Sequence, residues 1–255
     1  MKLLKDYIFP RLILDILTFY VFLVIVAVIA ARLSVSIEVA IGLLINYLML
    51  AFAFIYNDLK DREDDEKSPF KNFSVIEHLQ IIFGVKLQEG YKRFRNPFVG
   101  DEWVRTGYTI IAAIFALSLV ASYLLGGHLL LAIAFSNLII GLLYSGGFVR
   151  LKKYPIVDIF SHAYLLAGVQ IIFFFAYEEA VLDIKSYSLL FSIFIFSMAG
   201  DLANEYRDFK EDQETGLKNT ASFLGKKNTK IMGQLLQYFS LAVSVVLLAS
   251  VIIEK

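Results

Sequence analysis

The feature that most constrains this fold is a series of apolar runs, each long enough to cross a bilayer. A transmembrane helix needs about 20 consecutive, mostly apolar residues. Hydrophobic residues make up 58% of the 255-residue chain, whereas a soluble domain has about 45–50%. The sequence therefore predicts an all-α integral membrane helix bundle. We expect about seven spans, at residues 11–32, 37–56, 106–125, 128–147, 156–177, 187–206 and 231–253.

Composition excludes several kinds of chemistry. The chain has no cysteine, which excludes disulfides, thiolate metal sites, thiol nucleophiles and haem–thiolate chemistry. It carries 24 basic and 24 acidic residues, so its net charge gives no indication of a nucleic-acid partner, and we expect none.

Basic residues are divided unevenly between the two sides of the predicted bundle. Only Arg32, Lys185 and Lys255 fall on the side of the short connections between spans 1–2, 3–4 and 5–6. Cytoplasmic loops of membrane proteins carry an excess of Lys and Arg. We therefore expect a multi-pass protein of the cell membrane whose N-terminus and connections 2–3, 4–5 and 6–7 are cytoplasmic.

The connection between spans 2 and 3, residues 66–103, is too long for a simple turn. Loops of this length with structure of their own often act as lids or binding loops. An amphipathic helix within it could equally lie in the membrane interface, and both alternatives stay open. Apolar residues recur at the spacing of such a helix at Val75, Ile76, Leu79, Ile82 and Phe83. The whole chain, residues 1–255, is predicted to be a single transmembrane domain.

Two acidic stretches with the same pattern each follow directly on an apolar run. Residues 57–65 and 204–212 both match N-[D/E]-x-x-D-x-x-x-D. Carboxylates are costly near a bilayer and are seldom placed there without a partner. On a helix, residues four apart share one face. The two faces predicted in this way consist of Asn57, Asp61 and Asp65, and of Asn204, Asp208 and Asp212.

These residue types indicate divalent-metal chemistry. Hard oxygen ligands suit Mg²⁺, which is commonly shared with substrate phosphates. The metal neutralises a diphosphate and stabilises it as a leaving group, and an apolar bundle beside it could hold a long prenyl tail. The alternative is a solvated acidic helix end with i,i+4 salt bridges. Two matching copies, each directly after a span, favour a shared cation site at the cytoplasmic face.

The connection between spans 4 and 5 is basic and lies on the same side. Tyr144 ends a span, a Gly-Gly pair breaks the helix, and Arg150, Lys152 and Lys153 follow. Lysine supplies point charges, arginine a planar fork and tyrosine a hydroxyl donor, all of which suit phosphate oxygens. The simpler alternative is a positive-inside loop with a glycine turn. Two acidic clusters facing this loop strengthen the first interpretation.

Together these residues resemble the UbiA superfamily of intramembrane prenyltransferases. Its members carry NDxxDxxxD after the second helix and a related Asp-rich motif after the sixth. The run from Asp208 to Gly225 is similar to the family's D-x-x-x-D…G…T-A…L-G pattern, and the basic loop is similar to its Tyr/Lys loop. The residue pattern from Arg150 to Asp158 is most similar to that of the branch that prenylates lipids or carotenoids, which includes lycopene elongases. The resemblance covers about residues 10–230.

The resemblance implies a helix bundle around a cavity that opens to lipid. Mg²⁺, as two ions bridging the motifs, would hold a prenyl diphosphate, whose allylic cation would alkylate a lipophilic acceptor of unresolved class. The metal ligands would be Asp58, Asp61, Asp65, Glu205, Asp208 and Asp212. The catalytic residues would be Asp61, Asp208, Tyr144 and Lys152. The other diphosphate contacts would be Asn57, Asn204, Arg150, Lys153 and Arg207.

The chain departs from this family pattern in helix number. The family usually has nine helices, whereas seven are predicted here, with one after the second motif. One cavity wall would stay open unless a second copy of the chain or a membrane lipid closes it. A second hypothesis is therefore a non-catalytic membrane protein that keeps a cation or diphosphate site. A transporter would place ionisable groups near the midplane, whereas here they cluster at the ends of the spans.

Overall fold

The computed structural model describes residues 3–16, 36–66, 70–72, 93–146, 149–178 and 183–253. Apart from connecting turns and one short antiparallel ribbon, these residues are helical, so the predicted all-α class is confirmed. The ribbon joins β1 (Phe70–Asn72) to β2 (Arg93–Arg95). The helices are a π-helical N-terminal helix (Leu4–Ile16), α1 (Ile37–Lys60), α2 (Val104–Ser145), α3 (Val157–Ala163), a π-helical turn (Tyr164–Gly168), α4 (Val169–Glu178), α5 (Ile184–Thr215), α6 (Thr220–Leu224) and α7 (Lys226–Ile253).

Helix α2 is two antiparallel segments rather than one rod. Its 42 residues would extend about 63 Å at 1.5 Å per residue, twice the roughly 30 Å hydrocarbon thickness. Gly126 and Gly127 interrupt it with non-helical backbone angles. The Phe52 ring lies 5.8 Å from the Phe115 ring, and its edge is 3.6 Å from where a Cβ would stand on Gly141. One ring contacts both halves only if the chain folds back between them.

The predicted spans agree with the helices wherever the structure describes them. Within the described residues, five helices are long and apolar enough to cross a membrane, and because α2 contains two segments, they coincide with predicted spans 2 to 7. Of the first predicted span only residues 11–16 are described, and they are helical. The amphipathic helix predicted within 75–83 lies outside the described residues, so it and the total of seven spans stay predictions.

Burial separates inner helices from outer ones. In the most apolar stretch of each helix, 56% of the residues are buried in α1, 67% in Val157–Ala176 and 61% in α5, but only 17% in α2 and in α7. Apolar side chains on the surface of α2 and α7 are what a lipid-facing helix requires. The helices that carry the two acidic motifs, α1 and α5, therefore form the interior of the bundle.

Local signals explain the ends of α5. Asp183 begins the helix, and its carboxylate accepts a hydrogen bond from the Ser186 backbone N–H at 2.8 Å, as an N-cap does. Gly216 ends it in the left-handed region with φ of 72°, which glycine adopts without steric cost. The helix is 32 residues long and extends beyond its apolar part, which makes the second acidic motif helical.

Gly107 allows α2 to approach α1 and the segment after β2. A Cβ at this position would stand 2.7 Å from the Phe98 ring and 2.9 Å from Leu59 Cδ2, and both side chains are buried. We expect Gly107→Ala to lower the free energy of unfolding by about 1–3 kcal/mol, because overpacking a filled core forces side chains off their rotamers. Thermal unfolding in detergent measures this.

Gly233→Ala is the matched control, since its nearest contact would be an ordinary 3.5 Å. An equal effect of the two substitutions would contradict the packing explanation.

Candidate functional site

The first acidic motif lies where α1 ends. The helix stops at Lys60, earlier than the continuous helix expected from the sequence, and Asp61 is its C-cap. The backbone hydrogen bonds between residues four apart nevertheless continue past Lys60. The Asp61 N–H donates to the Asn57 carbonyl at 2.9 Å, and the Asp65 N–H donates to the Asp61 carbonyl at 2.7 Å. These three side chains therefore keep the i, i+4, i+8 relation that the sequence predicts.

The basic loop contacts this face directly. Lys152 forms an ion pair with Asp61 and donates to Asn57 Oδ1 at 3.3 Å. Arg150 donates to Asp61 Oδ1 at 3.2 Å and to Asp64 Oδ2 at 2.9 Å. The left-handed backbone of Arg150, with φ of 41°, turns the chain into a short 3₁₀ turn, Leu151–Lys153. Predicted residues far apart in sequence are therefore brought together here.

Tyr144 and Lys152 also lie close to the second motif. The carboxylates of Asp61 and of Asp201, on α5, are both within electrostatic range of the Tyr144 hydroxyl. Asp201 is likewise within range of the Lys152 ammonium group. The loop thus lies between Asp61 of the first motif and Asp201, which precedes the second motif on α5. Lys153, which was expected to contact substrate, is exposed.

The second motif is held partly by its own neighbours. Arg207 pairs with both oxygens of Asp208, with Nε–Oδ1 at 2.6 Å and Nη2–Oδ2 at 2.5 Å. Asp212 Oδ2 accepts from Asn219 Nδ2 at 2.8 Å. Asn204 Oδ1 is buried and has no hydrogen-bond partner among the described residues, so it is free to accept a ligand.

Asp58 differs from its predicted role as a metal ligand. It is fully buried and accepts hydrogen bonds from Arg11 Nε at 3.1 Å, Arg11 Nη2 at 3.2 Å and Tyr7 at 2.8 Å. Adjacent residues on a helix are about 100° apart, so Asp58 and Asn57 face different neighbours. Asp58 joins α1 to the N-terminal helix instead of joining the face that carries Asp61.

Glu205 also differs from its predicted role. It is buried, with 8% of its surface exposed, and its Oε2 accepts from the Ala221 backbone N–H at 2.7 Å. Asp158 on α3 is similarly placed, because it accepts from the Thr220 N–H at 2.5 Å and pairs with the Thr220 hydroxyl. These two carboxylates connect the start of α6 to α5 and to α3.

The last aspartate of each motif contacts an asparagine that the sequence does not predict. Asn96, directly after β2, donates to Asp65 Oδ2 at 2.6 Å, and Asn219 contacts Asp212. For Asn219 a local signal exists, because an asparagine directly before a helical run is a typical N-cap and marks a helix start. Nothing local to Asn96 indicates its contact, since its partner lies 31 residues earlier in the chain.

The oxygen donors suit a hard cation, although the described part of the chain holds no preassembled cluster of three or more His, Asp or Glu side chains. Carboxylate and amide oxygens are the ligands that Mg²⁺ prefers in proteins. The buried oxygens Asn204 Oδ1 and Asp201 Oδ2 have no hydrogen-bond partner within the described residues. Buried polar atoms are rarely left so in native structures without a ligand, ion or water to satisfy them.

An apolar cavity of about 800 Å³ opens beside the basic loop. Leu151 and Ile156 line its loop end. Its sides are formed mainly by apolar residues of α2, α3 and α5, with the paired hydroxyls of Ser136 and Tyr164 at 3.0 Å. Its size falls within the 300–1,000 Å³ typical of ligand pockets.

Comparison with known proteins gives one family. The model of the UbiA prenyltransferase family matches residues 100–253, which include the basic loop and the second motif but not the first. A comparison with curated proteins gave no match.

Solved structures of a UbiA homolog from Archaeoglobus fulgidus share the fold. The structure bound to DMAPP and Mg²⁺ has a TM-score of 0.63 at 22% identity, covering 96% of this chain and 78% of that chain. The structure bound to GPP and Mg²⁺ has a TM-score of 0.63 at 21% identity, with the same coverage. The structure bound to Cd²⁺ has a TM-score of 0.62 at 21% identity, covering 98% and 79%. At such identities the likeness establishes the fold.

Proposed function

Because this chain belongs to the UbiA prenyltransferase family, we propose that it transfers a prenyl group from a prenyl diphosphate to a lipophilic acceptor in the membrane, with Mg²⁺. The observation that carries this proposal is the position of Lys152. Its ammonium group pairs with Asp61 of the first motif and lies within electrostatic range of Asp201, one turn before the second. A diphosphate between the motifs would meet this cation.

The metal ligands would come from both motifs. On the first they are Asp61 and Asp65, with Asn57 beside them. On the second they are Asp208 and Asp212, with Asn204 beside them. We propose two ions, one for each face, as in the family pattern. When bound, Mg²⁺ neutralises the diphosphate and stabilises it as a leaving group.

The basic loop would bind the diphosphate. Lys152 and Arg150 already lie at the acidic face, so their charges oppose the repulsion between a diphosphate and the nearby carboxylates. Arginine grips phosphate oxygens as a planar fork, while lysine acts as a point charge. The Tyr144 hydroxyl would donate a hydrogen bond to a diphosphate oxygen, which is the role that the sequence predicts for it.

The cavity beside Leu151 would hold a lipophilic chain. Its walls are almost wholly apolar and begin at the loop that carries Lys152, so a chain whose polar end sits at Lys152 can extend into it. Apolar walls also offer few hydrogen-bonding groups to water, and exclusion of water would protect an allylic cation from hydrolysis. The Archaeoglobus homolog binds GPP and DMAPP with Mg²⁺, which supports the donor class proposed here.

The orientation proposed here places both motifs and the N-terminus at the cytoplasmic face of the cell membrane. The distribution of Lys and Arg supports it, since Lys60 ends α1, Arg150 follows α2 and Arg207 lies in the polar C-terminal part of α5.

The deciding experiment measures diphosphate release from geranylgeranyl diphosphate by the purified protein. It compares Mg²⁺ with EDTA, with and without a total lipid extract. Mg²⁺-dependent release that rises with lipid supports a prenyltransferase, and mass spectrometry of the extract then identifies the acceptor. Tight Mg²⁺-dependent binding without release would overturn the catalytic proposal in favour of the non-catalytic cation or diphosphate site.

Lys152→Gln is expected to raise the dissociation constant for geranylgeranyl diphosphate in Mg²⁺ about 10–100-fold. Hydrogen bonds to charged groups contribute about 1.5–3 kcal/mol, and 1.4 kcal/mol is about tenfold in affinity. Equilibrium binding to the detergent-solubilised protein measures this change.

Lys210→Gln is the matched control for Lys152→Gln. Lys210 is a lysine of α5 whose side chain is 85% exposed and lies 3.9 Å from Glu214. Equal weakening of binding by both substitutions would show that only the overall positive charge matters.

A further inference from the structure

The two acidic motifs end in the same way. The last aspartate of the first motif, Asp65, accepts a hydrogen bond from Asn96 Nδ2 at 2.6 Å. The last aspartate of the second, Asp212, accepts one from Asn219 Nδ2 at 2.8 Å. Both asparagines are buried, with 0% and 2% of their surfaces exposed, and both lie outside the motifs themselves.

The orientation of each amide is fixed by a second contact. Asn96 Oδ1 accepts from the Phe98 N–H at 3.0 Å, and Asn219 Oδ1 accepts from the Ser222 N–H at 3.0 Å. An asparagine side chain has one acceptor and one donor end, so a backbone donor at the oxygen leaves the nitrogen to point at the carboxylate. Neither amide can turn over without losing both contacts.

The segment that follows β2, at the end of the long connection between spans 2 and 3, contacts the first motif at several points. Besides Asp65, Asn96 donates to the Asp58 carbonyl at 2.8 Å. Arg62 pairs with Asp101, with Nε–Oδ1 at 3.1 Å. Asn96 therefore reaches Asp65 from a segment that is attached to the end of α1 at Asp58 and to Arg62 just after it.

A neutral donor affects a carboxylate differently from a cation. Asp61 is held by Lys152 and Arg150, and Asp208 by Arg207, so part of the negative charge at these positions is compensated. An amide orients Asp65 or Asp212 without cancelling its charge, and an ionised carboxylate has about four lone-pair sites. The asparagine contact occupies one of these sites on each terminal aspartate.

We propose that Asn96 and Asn219 are a matched pair of positioning residues, which hold the Asp65 and Asp212 carboxylates in the orientation that binds Mg²⁺. This inference rests on the proposed function, because it assigns both aspartates to metal. Ligating carboxylates are commonly hydrogen-bonded by outer partners, and loss of such a partner typically costs 10–100-fold in metal affinity or activity. The two asparagines would act independently, one for each motif.

Each asparagine also supports its local backbone, so the test must separate the two roles. Asn219 is the N-cap of α6, and Asn96 stabilises a turn through the Phe98 N–H. Serine can replace asparagine in both local contacts, since its hydroxyl caps helices and turns. The serine side chain ends one bond short of the amide nitrogen and does not reach the carboxylate. Asn219→Ser thus keeps the local structure and removes the positioning contact, whereas Asn96→Ser also removes the hydrogen bond to the Asp58 carbonyl.

The experiment titrates Mg²⁺ while measuring equilibrium binding of geranylgeranyl diphosphate to detergent-solubilised protein. We expect each serine variant to raise the Mg²⁺ concentration for half-maximal binding about 10–100-fold, with binding recovered at high Mg²⁺. The unfolding temperature of Asn219→Ser without Mg²⁺ should match the wild type, whereas that of Asn96→Ser should fall because the buried Asp58 carbonyl loses its donor. Asn137→Ser is the matched control, because Asn137 is a buried asparagine of α2 whose amide nitrogen has no hydrogen-bond partner within the described residues.

The outcomes separate this inference from the proposed function. If the wild type shows no Mg²⁺-dependent binding, the proposed function fails, and the positioning role fails with it. If the wild type binds but both serine variants have its Mg²⁺ dependence, only the positioning role is overturned. Loss of binding at every Mg²⁺ concentration, or an equal shift in Asn137→Ser, would also overturn it.

Discussion

Asp61→Asn is expected to lower the rate of Mg²⁺-dependent diphosphate release roughly 100-fold. Asp61 is the first-motif carboxylate that faces the basic loop, where it pairs with Lys152 and Arg150, and only 14% of its side chain is exposed. A metal acting as a Lewis acid contributes several kcal/mol to the transition state. Losing about 3 kcal/mol of this corresponds to the stated factor, since 1.36 kcal/mol is tenfold in rate. Steady-state assays with geranylgeranyl diphosphate measure the effect.

Asp64→Asn is the control for this substitution. Asp64 also pairs with Arg150, at 2.9 Å, but 49% of its side chain is exposed, and it lies outside the i, i+4, i+8 face. We expect turnover within about threefold of the wild type, because exposed ion pairs contribute little. Unchanged turnover in Asp61→Asn would contradict the assignment of this carboxylate to the metal.

Arg11→Met is expected to lower the free energy of unfolding by about 3–5 kcal/mol, because it leaves the Asp58 carboxylate buried without its cation. The pair is deeply buried, with 6% of the Arg11 and 0% of the Asp58 side chain exposed. The guanidinium carbon of Arg11 lies 4.4 Å from the centre of the Phe54 ring, and methionine places an apolar, unbranched side chain in the same position. Thermal unfolding in detergent measures the loss.

A double-substitution cycle decides what Asp58 does. If its role is structural, Arg11→Met with Asp58→Asn should be more stable than Arg11→Met alone, since no uncompensated charge remains. The Mg²⁺ requirement for donor binding should match that of the wild type. A raised Mg²⁺ requirement in the double variant would restore Asp58 to the metal ligands.

The span boundaries were predictable because they depend on local properties. The sequence places the division between spans 3 and 4 at residues 126–127, and the structure interrupts α2 at Gly126 and Gly127. Apolar length sets where a helix can cross lipid, and two adjacent glycines supply the backbone freedom for the reversal. The stagger of Asn57, Asp61 and Asp65 was equally predictable, because i,i+4 spacing is a property of the helix alone.

The roles of neighbouring carboxylates were not predictable in this way. Asp58 and Asp61 are three residues apart with the same chemistry, yet one is sequestered by Arg11, 47 residues earlier, and the other faces Lys152, 91 residues later. Glu205 likewise contacts the Ala221 N–H at the start of α6 rather than the face predicted for it. Which partner reaches a carboxylate depends on how distant segments pack, and no local spacing encodes that.

The sequence by itself thus determined a helical membrane bundle with two acidic motifs at the ends of spans. Helix length and periodicity depend only on the order of apolar and polar residues along the chain. Only the tertiary structure decided which of those oxygens stay available. A carboxylate that is partly or wholly removed from water is satisfied by whatever donors the fold brings to it. For the partly buried Asp65 one such donor is Asn96, from the far end of a long connection, and such a pairing exists only once the chain has folded.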